Sequence, residues 1–258
     1  MHHLILTLEA PLMAFGGETV DNFGVVRWFP AASMLTGLLA NALGWRRTEA
    51  ERHQRLQERL IFAARIDREP AGGVRLTDFQ TAKLNKSDKG WTTRGQHEDR
   101  TGGIKTYDAP HLRYRDYLAD MRVTVVLRME EGEFEPGLED VAEALERPSR
   151  PLFIGRKPCL PSVRLFQGFQ EGETVLAALL AVPLGSGDEQ RESIRVLWPA
   201  GEGVENIRPS RRYMLTDERN WVSGLHGGGR SVCESTVPAA LFPAADSGDA
   251  LAAEGESA

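Results

Sequence analysis

"NFGVVRWFPAASMLTGLLANALGW" occupies Asn22 to Trp45. Two aromatics stand beside an arginine, a proline follows, and the apolar positions then take a helical spacing. Leu35, Leu38, Leu39, Ala42 and Leu43 fall at i, i+3, i+4, i+7 and i+8, one continuous face. Ser33 is the expected N-cap and Gly44 the expected C-cap. The stretch carries no catalytic signature, so its role depends on what flanks it.

Upstream, Leu4, Leu6 and Leu8 alternate with Ile5 and Thr7, the period of a half-buried strand. "EAPLMAFGGETVDNFG", between strand and helix, is rich in turn formers and reads as a loop. Downstream, Thr48 to Arg59 predicts a second, polar helix, "LIFAARIDRE" a second strand and "GVRLTDFQTA" a third. "RVTVVLRMEE" is the clearest strand of the chain. Helices are expected at Leu138 to Glu146 and in "ETVLAALLAVPL", and short strands at Ile194 to Trp198 and Arg212 to Leu215. "HGGGRS", His226 to Ser231, reads as a flexible turn. The order strand, helix, strand, strand, then a later strand and helix, matches an α+β, ferredoxin-like plan. That plan is the scaffold of many RNA-binding domains.

At 258 residues and 41% hydrophobic content, the chain can build a real core. It holds no run of about eighteen apolar residues, so no membrane span is expected. "MHHLILTLEA" lacks a basic leader and a small-residue cleavage site, so it reads as a strand rather than a signal peptide. Cys159 and Cys233 are far apart and unaccompanied, which argues against a disulfide framework or a zinc site and fits a reducing cytoplasm.

A net charge of −6 argues against nucleic acid, but the charge is uneven. Ala239 to Ala258 holds four acids and no base, in an Ala- and Ser-rich context. We therefore expect one domain over residues 1–237 and a disordered acidic tail over 238–258. Arg75 to Arg115 holds nine Lys/Arg against five Asp/Glu. Local patches of this kind, not the total, set where phosphate docks.

Three constellations stand out. In Lys83 to Arg115, Lys83, Lys86, Lys89, Arg94, Arg100 and Lys105 offer phosphate contacts, while Trp91, Tyr107, Tyr114 and Tyr117 offer flat faces. Single-stranded nucleic acid wants that mixture; a solvated surface loop with ordinary aromatic packing has the same composition. In "HLRYRDYLAD", Arg113 and Arg115 alternate around Tyr114 and share a face in an extended chain. A structural ion-pair cluster with Asp116 or Asp120 is the equal alternative. In "FIGRKPC", Gly155 frees the backbone and Arg156 and Lys157 supply adjacent charges, which suits phosphate at a turn, although the spacing is not that of a P-loop. Metal-free RNA cleavage needs a base and an acid, for which His97, His111, Lys105 and Tyr107 are the candidates. Their spacing fixes no geometry, and no metal, cofactor or nucleotide signature accompanies them.

"LILTLEAPLMAFG", "RWFPAASMLTGLLANALG", "RYRDYLAD" followed by a strand, and "PLFIGRKPC" occur in that order. Together they resemble the type I-E members of the fifth CRISPR-associated (Cas) protein family, subunits of the Cascade RNA-guided surveillance complex, over roughly Leu4 to Val237. The resemblance implies a ferredoxin-like, RRM-type core with an inserted β-hairpin thumb at about 83–107. It implies a non-catalytic role: binding the 5′ handle of the CRISPR RNA, and capping a backbone of Cas-seven-family subunits beside the large PAM-reading subunit. Target DNA is then met only indirectly, and no cofactor or membrane is involved. A type I-C relative processes the precursor RNA itself, so a metal-independent endoribonuclease is the alternative. By resemblance Arg27, Arg115, Arg156 and Lys157 match basic positions of the family, with Arg115 against the handle bases and Tyr114 beside it. The start of the helix would present Arg27 and Ser33 to phosphate, aided by its free N–H groups and positive dipole. Thumb contacts such as Lys86 and Arg94 fall where the sequence departs from the family pattern.

Overall fold

The computed structural model describes the chain except residues 18, 74, 84–89, 92–96, 99–109, 133–135, 186–190 and 245–258; at 19, 20, 71, 90, 91, 97 and 98 it describes the backbone alone. In chain order the elements are β1 (His2–Met13), β2 (Thr19–Val20), β3 (Phe23–Gly24), α1 (Ala32–Ala42), α2 (Ala50–Arg59), β4 (Leu60–Arg68) and β5 (Arg75–Ala82). There follow β6 (Gly90–Trp91), β7 (His97–Glu98), β8 (His111–Met129), α3 (Leu138–Glu146), β9 (Phe166–Glu171), α4 (Val175–Ala181), β10 (Ser193–Pro199), β11 (Arg211–Arg219) and β12 (His226–Pro238). The result is a mixed α+β fold dominated by an antiparallel sheet, in the order β11-β12-β10-β4-β8-β1-β9.

β8 organises it. "VTVVL" is unbroken because both faces of this strand are covered. Val123, Val125 and Leu127 join Leu4, Leu6 and Leu8 of β1 in one core, with Leu35, Leu38 and Leu39 of α1 and Val141 of α3. Val126 points the other way, into a second core with Leu176 and Leu179 of α4, Val196 and Trp198 of β10, and Cys233 of β12. The leucine face read from the sequence is thus the buried face of α1. β8 pairs with β1 and β4 over its second half and with β5 over its first. Between the halves Asp120 adopts φ 51, and Arg68 holds its carbonyl (2.9 Å) and carboxylate (3.0 Å). On the N-terminal side of Asp120, Arg113–Tyr114–Arg115 lie on the part of β8 that pairs with β5 and β3.

Several expectations are corrected. β1 runs on through Leu12 and Met13, which pair with Ala119 and Leu118, so only part of the expected loop is irregular. Ser33 lies inside α1; the N-cap is Ala31, whose side chain cannot cap, and the Ala32 amide instead donates to Asp217 Oδ2 at 2.9 Å. At the other end the C-cap is Leu43, not Gly44; Gly44 follows it with φ 78, and Gly44 and Trp45 donate to the Asn41 and Ala40 carbonyls (3.2 and 2.9 Å), closing the helix. "HGGGRS" is no turn. It begins β12, and cross-strand pairing with β11 (Leu215 with Arg230, Arg219 with His226) supplies the order that its glycines lack locally. The chain does not fall loose after Val237: Ala239–Leu241 forms a 3-10 turn and Phe242 is buried in the second core. The acidic residues beyond 244 lie outside the described residues. No described helix is long and apolar enough to cross a membrane.

Candidate nucleic-acid interface

Six of the residues singled out in the sequence line one groove of about 540 Å³: Arg27, Ser33, Arg113, Tyr114, Arg115 and Arg156. They come from three distant segments. Arg27 and Ser33 flank the start of α1, Arg113 to Arg115 sit on the part of β8 that pairs with β5 and β3, and Arg156 sits on the turn after Ile154. The turn depends on Gly155. At φ +86, a Cβ built there would lie 1.6 Å from the Ala14 carbonyl oxygen, so the turn crosses under the end of β1 with no room for a side chain. Hydrogen bonds Ile154 N to Cys159 O (2.7 Å) and Cys159 N to Arg156 O (2.8 Å) close it.

The four arginines are not equivalent. Arg156 donates to the Asp116 carbonyl (2.8 Å) and the Gly24 carbonyl (3.0 Å), and its guanidinium covers the Tyr117 ring at 4.8 Å. It clamps β3 onto β8, so its charge lines the groove while its donors hold the wall. Arg27 donates to the Thr216 carbonyl at 2.6 Å. Arg113 makes a long 3.4 Å contact with the Asp21 carbonyl. The Arg115 side chain makes no hydrogen bond or ion pair among the described residues, and its Nε is buried without a partner. Among the described residues it is the groove arginine whose side chain donates no hydrogen bond, and neither it nor Arg113 pairs with Asp116 or Asp120, which disfavours the ion-pair reading of this segment.

The phosphate site expected at the start of α1 is corrected by Asp217. Its carboxylate takes the Ala32 amide and is held by Arg230 (Nη2 to Oδ2, 3.0 Å; Nε to Oδ1, 3.1 Å). A carboxylate therefore already occupies the positive end of the helix. Asp217 arrives on the β11–β12 hairpin, which docks on α2. Trp221 tilts against His53 at 4.7 Å and donates Nε1–H to Gln57 Oε1 at 3.0 Å. The same docking places His226 in the groove. Burial first, then the Arg219 and Arg27 guanidiniums, hold His226 below the usual imidazole range. The sequence reading does not single out Asp217, and it places His226 in a flexible turn rather than in a site. The alternation Tyr213, Leu215, Asp217 ahead of Trp221 is the local signal for an inward strand face.

Stacking faces also differ from expectation. Tyr117 is buried beneath Arg156. Tyr114 is stacked on Phe23 (4.9 Å, 11°) and tilted against Phe79 (5.2 Å, 45°). Phe23 and Phe79 remain 51% and 52% exposed, so the accessible rings are theirs, and neither was singled out. Lys83 and Lys157 are exposed and do not line the groove. Lys86, Arg94, Lys105 and Tyr107 lie outside the described residues. The backbones of β6 and β7 pair antiparallel, Trp91 opposite His97. His111, at the exposed start of β8, stands apart from the groove lining. Among the described residues no three His, Cys, Asp or Glu side chains are grouped to hold a metal ion.

A family model described as CRISPR-associated protein (Cas_Cas5) matches residues 3–233. The sequence is 29% identical over 193 residues to the CRISPR system Cascade subunit CasD of Escherichia coli (strain K12), covering 74% of this chain and 82% of that protein. A chain solved in a CRISPR RNA-guided surveillance complex superposes with a TM-score of 0.63 at 24% identity, over 93% of this chain and 92% of that one. A chain solved as a Cas protein superposes at 0.59 and 22% identity, over 94% and 98%.

Proposed function

The chain belongs to the CRISPR-associated protein (Cas_Cas5) family, and from that premise we propose that it is a non-catalytic RNA-binding subunit of a type I-E Cascade complex, gripping the 5′ handle of the CRISPR RNA in the arginine groove. In this reading it caps a backbone of Cas-seven-family subunits beside the large PAM-reading subunit. The name of its Escherichia coli relative, a Cascade subunit, supports that placement. The strand order β9-β1-β8-β4, with α1 and α3 packed on one face, supports reading the core as ferredoxin-like and RRM-type, and the β6–β7 pair supports an inserted thumb.

The observation that carries the proposal is the convergence of four guanidiniums from three distant segments on one groove, with the Arg115 side chain donating no hydrogen bond among the described residues. Guanidinium suits phosphate and also stacks on bases. The test is repeat RNA incubated with the full chain in EDTA, with retention and cleavage read on one gel. Retained, intact RNA is expected. Arg115→Ala should weaken binding about tenfold and lower the log–log salt slope by about 0.7, the value for one phosphate contact on a single strand. Unchanged affinity and slope would remove Arg115 from the interface.

The alternative, a metal-independent endoribonuclease, draws on one feature: His226, held neutral in the groove, is a possible general base. A specific cut in EDTA, lost in His226→Gln, would replace the binding reading. In the binding reading His226 leaves a pH signature instead. A bound phosphate offsets the repulsion from Arg219 and Arg27, so the imidazole pKa rises on binding. The complex then holds more proton than the free protein, and affinity increases as pH falls. For each unit by which the pKa rises, the gain approaches about tenfold at low pH. Titrations from about pH 7.5 to about pH 5.5 should show the gain in the wild type. They should show a flat profile in His226→Gln; equal slopes in both would place the effect elsewhere.

A further inference from the structure

A second groove, of about 580 Å³, is lined by the Val25–Phe29 segment. Gly17, Val25 and Arg27 line both grooves, so the two meet at this segment. Arg75 at the start of β5, Arg195 on β10 and Arg211 at the start of β11 converge on the second. Their guanidiniums are held by rings. Arg75 and Arg195 lie 5.4 and 5.0 Å from the Trp28 ring centroid, and Arg211 lies 4.8 Å from that of Tyr213.

The charges in this groove are only partly answered. Arg195 makes a two-pronged pair with Glu69, at 3.0 Å for each bond. Arg75 and Arg211 are exposed and have no carboxylate within salt-bridge distance among the described residues. The one carboxylate among the described lining residues, Glu234, accepts the Tyr213 hydroxyl at 3.0 Å. Burial and that carboxylate push the phenol up to about 12, so it stays a protonated donor. Cation–π contact holds each guanidinium over a ring without using up its N–H donors. The faces of Trp28 and Tyr213 that would receive a base are the faces the guanidiniums approach. What the groove offers a ligand is therefore an array of cationic edges, which suits a phosphodiester backbone.

We propose that this second groove binds the phosphodiester backbone of a single nucleic-acid strand continuing over Arg27 from the first groove, through Arg75 and Arg211 and without base recognition. The proposal rests on the RNA-binding reading of the first groove. An acidic protein surface would meet the same charges, but continuity through Arg27 favours a strand. The strand is either the guide RNA or a DNA strand that reaches this face in the assembled complex.

The test uses the full chain and a labelled repeat-derived RNA of about 20 nucleotides, long enough to pass both grooves, with a DNA of the same sequence as the second probe. Dissociation constants are measured across a salt series for wild type, Arg75→Ala/Arg211→Ala and Arg115→Ala, with urea midpoints to confirm that each variant is folded. Arg75→Ala/Arg211→Ala is expected to bind RNA at least about tenfold more weakly, with the salt slope lower by about 1.4, the loss of two phosphate contacts. A loss confined to the DNA probe supports the groove with DNA as its strand. No loss on either probe, while Arg115→Ala still weakens RNA binding, overturns the second groove alone and leaves an acidic protein surface as its ligand class. No loss in either variant overturns both grooves.

Discussion

Gly155→Ala is expected to lower stability by about 2–6 kcal/mol, the sum of about 1–3 for a non-glycine residue in left-handed backbone and about 1–3 for overpacking. The methyl would have to displace the Ala14 carbonyl, 1.6 Å from where its carbon must sit. Ala14 is bonded back to the same turn, its amide donating to the Ile154 carbonyl at 3.3 Å, so neither partner yields alone. Moving the turn pulls Arg156 off Gly24 and Asp116, which leaves β3 held to β8 by backbone pairing alone and loosens the wall of the arginine groove. RNA affinity should therefore fall even in whatever fraction stays folded. Gly16→Ala is the internal control: it has a similar φ, +82, but nothing within 4 Å of its Cβ, so it carries the backbone cost alone. Urea midpoints of the two variants should differ clearly. Matching midpoints would mean that the close crossing at Ala14 relaxes at no cost.

The second large effect lies in the other core. Arg65 and Asp67 are each 1% exposed, and Arg65 Nε donates to Asp67 Oδ1 at 2.5 Å. Arg65 also donates to the Val182 carbonyl at 2.5 Å and to the Pro183 carbonyl, and it lies 4.8 Å from the Phe242 ring. The Thr124 hydroxyl donates to the second Asp67 oxygen at 2.5 Å. The pair joins β4, β8, the end of α4 and the segment after β12. Arg65→Ala leaves a carboxylate without its cation and carbonyls without a donor, and should cost about 3–5 kcal/mol. Arg65→Met/Asp67→Leu removes both charges and should recover most of that loss. Urea unfolding of the three proteins checks this; a single-variant loss below about 1 kcal/mol would show that water reaches the site. Phe242 should share the effect, since it closes the same pocket.

What the sequence determined by itself was local. The leucine face of α1 was legible because burial of a helix repeats at its own period. β4, the half of β8 from Arg122 onward and α3 were legible because their apolar residues and flanking breakers are contiguous; the half from His111 was not, because it alternates charged residues with aromatics and takes its order from pairing with β5. Arg113, Tyr114, Arg115 and Arg156 were legible through short basic–aromatic patterns and through resemblance to a family. What they do in the fold was not. The Arg115 side chain donates no hydrogen bond among the described residues and Arg156 becomes a clamp because of which backbone carbonyls β3 and β8 bring near each, and that follows from pairing between residues 23–24 and 114–115.

The helix N-terminus shows the limit most clearly. Ser33 has the chemistry of a cap and sits one residue inside the helix, while the acceptor comes from Asp217, 185 positions away from the Ala32 amide it holds. "HGGGRS" was misread for the same reason. Glycines carry no local strand preference, and the partner strand β11 supplies the hydrogen bonds that order them. Phe242 belongs to the domain because the buried Arg65 offers it a face, a contact that no pattern near residue 242 announces. Local periodicity set which segments are strands and helices. Long-range pairing, which joins carbonyls and carboxylates to donors far along the chain, decided which donors the fold consumes and which, as on the Arg115 side chain, it does not.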